Sequence, residues 1–130
     1  MILVDSSVWI NYFNGVINPK TDLLDKLLDE EIIAIGDLIY TEVLQGFKEE
    51  KDFKRAKRLF DGLLFFEMLG KDQSVSTIKN FRFLRSKGIT VRKTIDMIIA
   101  TFCIENNTQL LHNDEDFDLI AEYLKLDIYE

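Results

Sequence analysis

The sequence holds one cysteine, one proline and one histidine in 130 residues, and no apolar run approaches the ~20 residues of a membrane-spanning helix. The lone Cys103 excludes an intrachain disulfide and a zinc site built from cysteines. The opening Met1-Ile2-Leu3-Val4-Asp5 has neither the charged start nor the long apolar stretch of a secretory signal. The expectation is a soluble cytoplasmic protein with no membrane partner. Sparse proline, 30% charged and 12% aromatic residues exclude a disordered or linker-like chain. With 47% hydrophobic residues, the length suits a single domain over 1–130, which buries roughly two-thirds of its unfolded surface.

Positive charge is also in deficit: 16 Lys and Arg stand against 23 Asp and Glu, a net charge of −7. Overall acidity argues against a nucleic-acid partner, because Lys and Arg make most phosphate contacts. The distribution argues the other way. Twelve of the 16 basic residues fall in two stretches, Lys48 to Arg58 and Lys79 to Lys93, and no acidic residue occurs from Gln73 to Ile95. Either these are solvated helix faces, or Arg82, Arg85, Lys87, Arg92 and Lys93 track a nucleic-acid backbone.

Short aliphatic runs alternate with helical periodicity. Met1–Val4, Ile32–Ile35, Leu63–Leu69 and Gln109–His112 read as strands, and Asp127–Tyr129 as a closing edge strand. Asp5-Ser6-Ser7 starts a helix bearing Val8, Trp9, Tyr12 and Phe13, and Asn18-Pro19 caps a second with Leu23, Leu24, Leu27 and Leu28. Gly36-Asp37 opens a third, carrying Leu38, Ile39, Val43 and Leu44, and Phe53, Ala56, Leu59 and Phe60 mark a fourth. Asp72 caps a fifth, with Val75, Ile78, Phe81 and Leu84 inward and Gly88 as its stop. Thr94 caps a sixth, with Ile98, Ile99, Phe102 and Cys103 buried, and Asn113–Asp116 leads into a seventh. Strand–helix alternation implies parallel pairing and an α/β fold, a three-layer α/β/α sandwich with a mainly parallel sheet.

Ligands of such sheets gather at the carboxyl ends of the strands. Asp5 follows the first strand, Asp114 the strand ending at His112, Asp96 opens the sixth helix, and Glu42 lies one turn into the third. Singly, these are caps or anions favoured by a helix dipole. Converging, they repel one another unless a cation intervenes, and an all-oxygen set suits magnesium or manganese better than zinc.

These motifs, Asp5-Ser6-Ser7, Thr41-Glu42-Val43, Thr94-Ile95-Asp96 and Asn113-Asp114-Glu115-Asp116-Phe117, resemble the PIN domain, and within it the VapC-type toxin ribonucleases. The resemblance spans nearly the whole chain. It implies a Mg²⁺- or Mn²⁺-dependent endoribonuclease acting on a structured RNA such as tRNA or rRNA, a cognate antitoxin partner and a homodimer. It implies that Asp5, Glu42, Asp96 and Asp114 are catalytic, that Asp5, Asp96 and Asp114 bind metal, and that Glu42 orients or deprotonates the attacking water. Asp116 either contributes a fifth carboxylate or caps the last helix, and capping is the preferred role. Ser6 is expected to donate to a carboxylate or a metal-bound water, and Ser7 stands where many PIN sequences have Asn. His112 is read as structural, Cys103 as a small hydrophobe, and Trp9, Tyr12 and Phe13 as core or a partner surface.

Three competing readings remain. A phosphatase resembling the haloacid dehalogenases would use Asp5 as nucleophile, but it requires an Asp where Ser7 stands. A receiver-like domain requires an acidic pair after the first strand. A non-catalytic α/β protein-interaction module would use the carboxylates only as caps.

Overall fold

The computed structural model describes residues 1–130. Its centre is a pair of strands buried on both faces, β1 (Ile2–Val4) and β2 (Ile33–Gly36), as the unbroken aliphatic runs require. Leu3 pairs in parallel with Ala34 of β2 on one side and with Leu110 of β4 (Gln109–Leu111) on the other. The short β3 (Leu64–Phe66) pairs with β2, giving the order β3-β2-β1-β4 with every strand parallel. Between strands run α1 (Ser6–Phe13), α2 (Pro19–Glu30), α3 (Asp37–Leu44), α4 (Glu50–Asp61), α5 (Lys71–Ser86) and α6 (Thr94–Glu105), and α7 (Glu115–Tyr123) follows β4. Helices α1 to α4 pack as one group and α5 to α7 as another, flanking the sheet in three layers.

The chain leaves β1 outward through β2 and β3, then returns through α5 and α6 to place β4 on the opposite side of β1. The direction of winding therefore reverses between β1 and β4. At such a reversal the loops after the two strands diverge to opposite faces and leave a crevice at the carboxyl edge of the sheet. Asp5 and Asp114 are the residues that follow those two strands into their helices.

Local chemistry explains most boundaries. Asp5 caps α1 by accepting the Ser7 N–H, and Asn18 and Thr21 form a reciprocal capping box around Pro19 at the start of α2. Gly88, at φ +82°, ends α5: its N–H donates to Arg85 O and the Ile89 N–H to Leu84 O, a Schellman closure. Gly36 is demanded by contact, since a Cβ there would lie 2.0 Å from Sδ of the fully buried Met68. Trp9 is the centre of an aromatic cluster, stacked on Phe13 at 5.7 Å and edge-on to Phe60 at 4.9 Å, so this stripe belongs to the core.

Five sequence expectations need correction. The closing strand is a single bridge, Leu110 to Ile128, and β3 is three residues rather than seven. Gly70 and Lys93, not Asp72 and Thr94, occupy the N-cap positions of α5 and α6. The α5 stripe is also displaced. Val75 and Leu84 are nine residues apart, about 180° around an α-helix, so they cannot share a face. The buried side runs instead through Thr77 and Leu84, with the Asn80 amide donating to Thr101 Oγ1 of α6, while Val75 and Ile78 are exposed.

Candidate metal centre

Three chain segments meet at the carboxyl edge. The first is the exit from β1, where the Asp5 N–H continues the sheet ladder by donating to Leu111 O at 2.9 Å. Asp5 is buried, and its Oδ2 accepts the Ser7 N–H at 3.0 Å. Burial pushes its carboxyl above the ordinary range and the charge of Glu42 adds to this, while the Ser7 and Ser6 hydrogen bonds partly offset it. Next to it, the Ser6 hydroxyl donates to Oε1 of the half-buried Glu42, and the Ser7 hydroxyl accepts the Asn113 N–H at 3.0 Å. The two serines thus tie α1 to α3 and to the β4–α7 loop.

The second segment is the first turn of α6, where helix geometry turns Asp96 inward beside Met97. Asp96 is only 4% exposed, and its Oδ2 has no hydrogen-bond partner. The nearest cation, Lys93 Nζ, stands 3.6 Å from that oxygen, within ion-pair range but beyond a good hydrogen bond. Burial drives the Asp96 pKa up to about 6; Lys93 opposes the shift, and Asp5, Asp114 and Asp116 reinforce it.

The third is the turn after β4. Asp114 caps α7, its Oδ1 accepting the Asp116 N–H at 3.0 Å, and its Oδ2 accepts from Lys93 Nζ at 3.1 Å. Burial acts to raise the Asp114 pKa, but the Asp116 N–H and Lys93 outweigh it and the net shift is downward. The Asp114 N–H donates to His112 Nδ1 at 3.1 Å, which leaves the proton of a neutral His112 on Nε2, facing Asp118 Oδ1 at 3.1 Å. His112 is therefore a structural brace for this turn.

One carboxylate oxygen each from Asp96, Asp114 and Asp116 lies within 4.8 Å of the others. Of the two roles the sequence leaves to Asp116, the preferred one, the cap, falls to Asp114, and Asp116 stands with the carboxylates. Asp114 already caps the helix, and that cap folds the next turn so that Asp116 faces the cluster, where Arg92 lies 3.3 Å from its Oδ1. The signal was an Asp two positions after a capping Asp. Asp5 and Glu42 lie outside this trio, but the charge of Asp5 acts on Asp96 and that of Glu42 on Asp5. The donor set fits a hard divalent cation. It offers only oxygens, it includes a buried carboxylate oxygen lacking a hydrogen bond, and its negative charge exceeds what Arg92 and Lys93 neutralise.

The basic residues divide. Arg92 and Lys93 stand on the acidic cluster. Arg82 and Arg85 are exposed on α5, where the Arg85 guanidinium lies over the Phe81 ring at 5.6 Å, and Lys87 lies over Phe83 at 5.5 Å.

The PIN domain family model matches residues 2–123 of the chain. Ribonuclease VapC11 of Mycobacterium tuberculosis is 32% identical over 131 residues, covering 97% of this chain and 96% of its own. Among solved structures, VapBC2 from Rickettsia felis, bound to a DNA fragment from their promoter, superposes with a TM-score of 0.78 at 19% identity, covering 99% of this chain and 98% of that one. A toxin–antitoxin complex from Klebsiella pneumoniae gives a TM-score of 0.64 at 17% identity over 85% of this chain and 83% of that one. The winding reversal between β1 and β4 and the carboxylates gathered there are thus set in a chain that belongs to the PIN domain family.

Proposed function

We propose that this chain is a single-domain, cytoplasmic, Mg²⁺- or Mn²⁺-dependent endoribonuclease, the toxin of a VapBC-type pair, hydrolysing phosphodiester bonds in a structured RNA such as tRNA or rRNA. The observation that carries it is the buried Asp96 Oδ2, without a hydrogen bond, in a trio of carboxylates within 4.8 Å. The ribonuclease relative, similar over almost its full length, supports the activity. The VapBC and toxin–antitoxin structures of the same fold support an antitoxin partner.

In this reading Asp96, Asp114 and Asp5 hold the ion, and Asp116 adds a fourth carboxylate. When bound, the ion relieves their mutual repulsion and acts as a Lewis acid towards the scissile phosphate. Glu42, with Oε1 fixed by Ser6, keeps Oε2 available to orient a water and accept its proton. Asp5 acts as a ligand, its Oδ2 steadied by the Ser7 N–H; the phosphatase reading would need a second Asp where Ser7 stands. Arg82, Arg85, Arg92 and Lys93 supply phosphate contacts that position RNA without reading its sequence.

The test is cleavage of a mixed cellular RNA pool by the purified, antitoxin-free chain with Mg²⁺, with Mn²⁺ and with chelator, beside Asp96→Asn. Discrete fragments that need metal and vanish in the variant are expected. No cleavage by folded protein, together with no metal-induced rise in melting temperature, overturns the proposal in favour of an interaction module.

A further inference from the structure

Both oxygens of Asp114 are engaged, Oδ1 by the Asp116 N–H and Oδ2 by Lys93 Nζ. The same ammonium is the only cation near the unpartnered Asp96 Oδ2. Asp114 Oδ2 and the buried Asp96 Oδ2, two oxygens that an ion bridging these residues would use, both face Lys93. A magnesium-sized ion binds oxygens at about 2.1 Å, and an ammonium 3.1 and 3.6 Å from those two oxygens stands in the space such an ion must enter. We infer that Lys93 is a built-in counter-ion that holds the acidic site together without metal and is displaced when a divalent cation binds.

Three features fit this exchange. Lys93 sits at the N-cap of α6, one turn from Asp96, so its stem reaches the site whenever the helix forms. Its side chain is 56% exposed, so it can swing into water on its flexible methylenes without disturbing the core. The neighbouring Arg92 is a contrast: it meets only Asp116, at 3.3 Å, and touches neither Asp96 nor Asp114. Displacement also delivers a mobile ammonium beside the site at which RNA phosphate arrives. Lys93 is thus a positioning residue for the carboxylates, and its exchange sets the metal concentration at which the site fills.

The inference rests on the metal-dependent reading above, and its test separates the two. Mn²⁺ is titrated calorimetrically into the purified chain, into Lys93→Met, into Lys93→Arg, and into Arg92→Met, which removes the same charge nearby. Lys93→Met is expected to bind about fivefold more tightly, the equilibrium equivalent of a partly exposed ion pair that no longer competes. Lys93→Arg is expected to stay close to the parent, and Arg92→Met to move less than Lys93→Met. In the parent, the Lys93 side-chain ammonium resonance in ¹⁵N-detected spectra is expected to shift to that of a solvated lysine, or to vanish through faster exchange, as diamagnetic Mg²⁺ is added. Binding by the parent with equal affinity in Lys93→Met, or an equal gain in Arg92→Met, overturns the displacement and leaves the metal site standing. No binding by the parent overturns both.

Discussion

The Ser6 hydroxyl donates to Glu42 Oε1, joining the first turn of α1 to the far end of α3 across the carboxyl edge of the sheet. Because Ser6 follows Asp5 directly, the same two-residue step that aims a buried carboxylate also fixes the orientation of Glu42. Ser6→Ala is expected to lower kcat for RNA cleavage about tenfold with little change in KM, since a positioned base contributes in the transition state rather than in binding. The stability cost is about 1 kcal/mol, that of one lost hydrogen bond. Steady-state kinetics and denaturant unfolding check both, and a change in KM alone would assign Ser6 to substrate binding.

Asp96 makes stability depend on pH in a specific direction. Its folded pKa, about 6, lies above the ordinary 3.8, so the folded state holds its proton more tightly than the unfolded chain does. This group therefore destabilises the metal-free protein above pH 6, by up to about 3 kcal/mol, and the penalty fades as pH falls from 6 towards 4. Asp96→Asn is expected to raise the melting temperature in chelator at pH 7.5 and to lose that advantage at pH 4. The contribution of Asp114 has the opposite sign, its pKa being lowered, so the paired comparison, not the parent's profile alone, isolates Asp96. An equal effect of Asp96→Asn at both pH values would show that Asp96 is not the strained carboxylate.

Those two carboxylates also show what a sequence exposes and what it hides. The places of Asp5 and Asp114 were legible because each follows a strand at a boundary written locally, by a change from an aliphatic run to a cap, and that of Asp96 because it lies in the first turn of an apolar helix. The parallel sheet was legible for the same reason. Asp116 was legible only as a choice between carboxylate and cap, because its role depends on which of two aspartates takes the cap, and in the fold that is Asp114. The α5 face was misplaced because a period of three was followed where the helix turns every 3.6 residues. The split of the basic residues was hidden as well, since only the fold brings Arg92 and Lys93 back onto the acidic turn.

Gly36, at the carboxyl end of β2, offers a test of packing. A methyl group there would overlap the Met68 side chain, which is fully buried and must shift to make way. Gly36→Ala is expected to destabilise by about 1–3 kcal/mol, the usual cost of overpacking. Met68→Ala in the same chain is expected to relieve part of that cost, so the double mutant is more stable than the two single losses added together. Denaturant midpoints of the four proteins decide it, and strict additivity would show that the two side chains do not collide.

Asp116 separates the two roles open to an aspartate at this turn. If it capped α7, Asn would replace it with little effect, because Asn caps as well as Asp. Its carboxylate instead lies with those of Asp96 and Asp114, and the cap is made by Asp114. Asp116→Asn is therefore expected to leave the melting temperature of the metal-free protein within about 2 °C of the parent, or slightly above it as repulsion falls. It is expected to weaken Mn²⁺ binding about tenfold, the scale seen when a group supporting a metal site is removed. Asp114→Asn preserves a capping oxygen but removes the charge facing Lys93, so it is expected to weaken binding more. Calorimetric titration of both variants with Mn²⁺ ranks them, and an unchanged affinity in Asp116→Asn would return that residue to the helix surface.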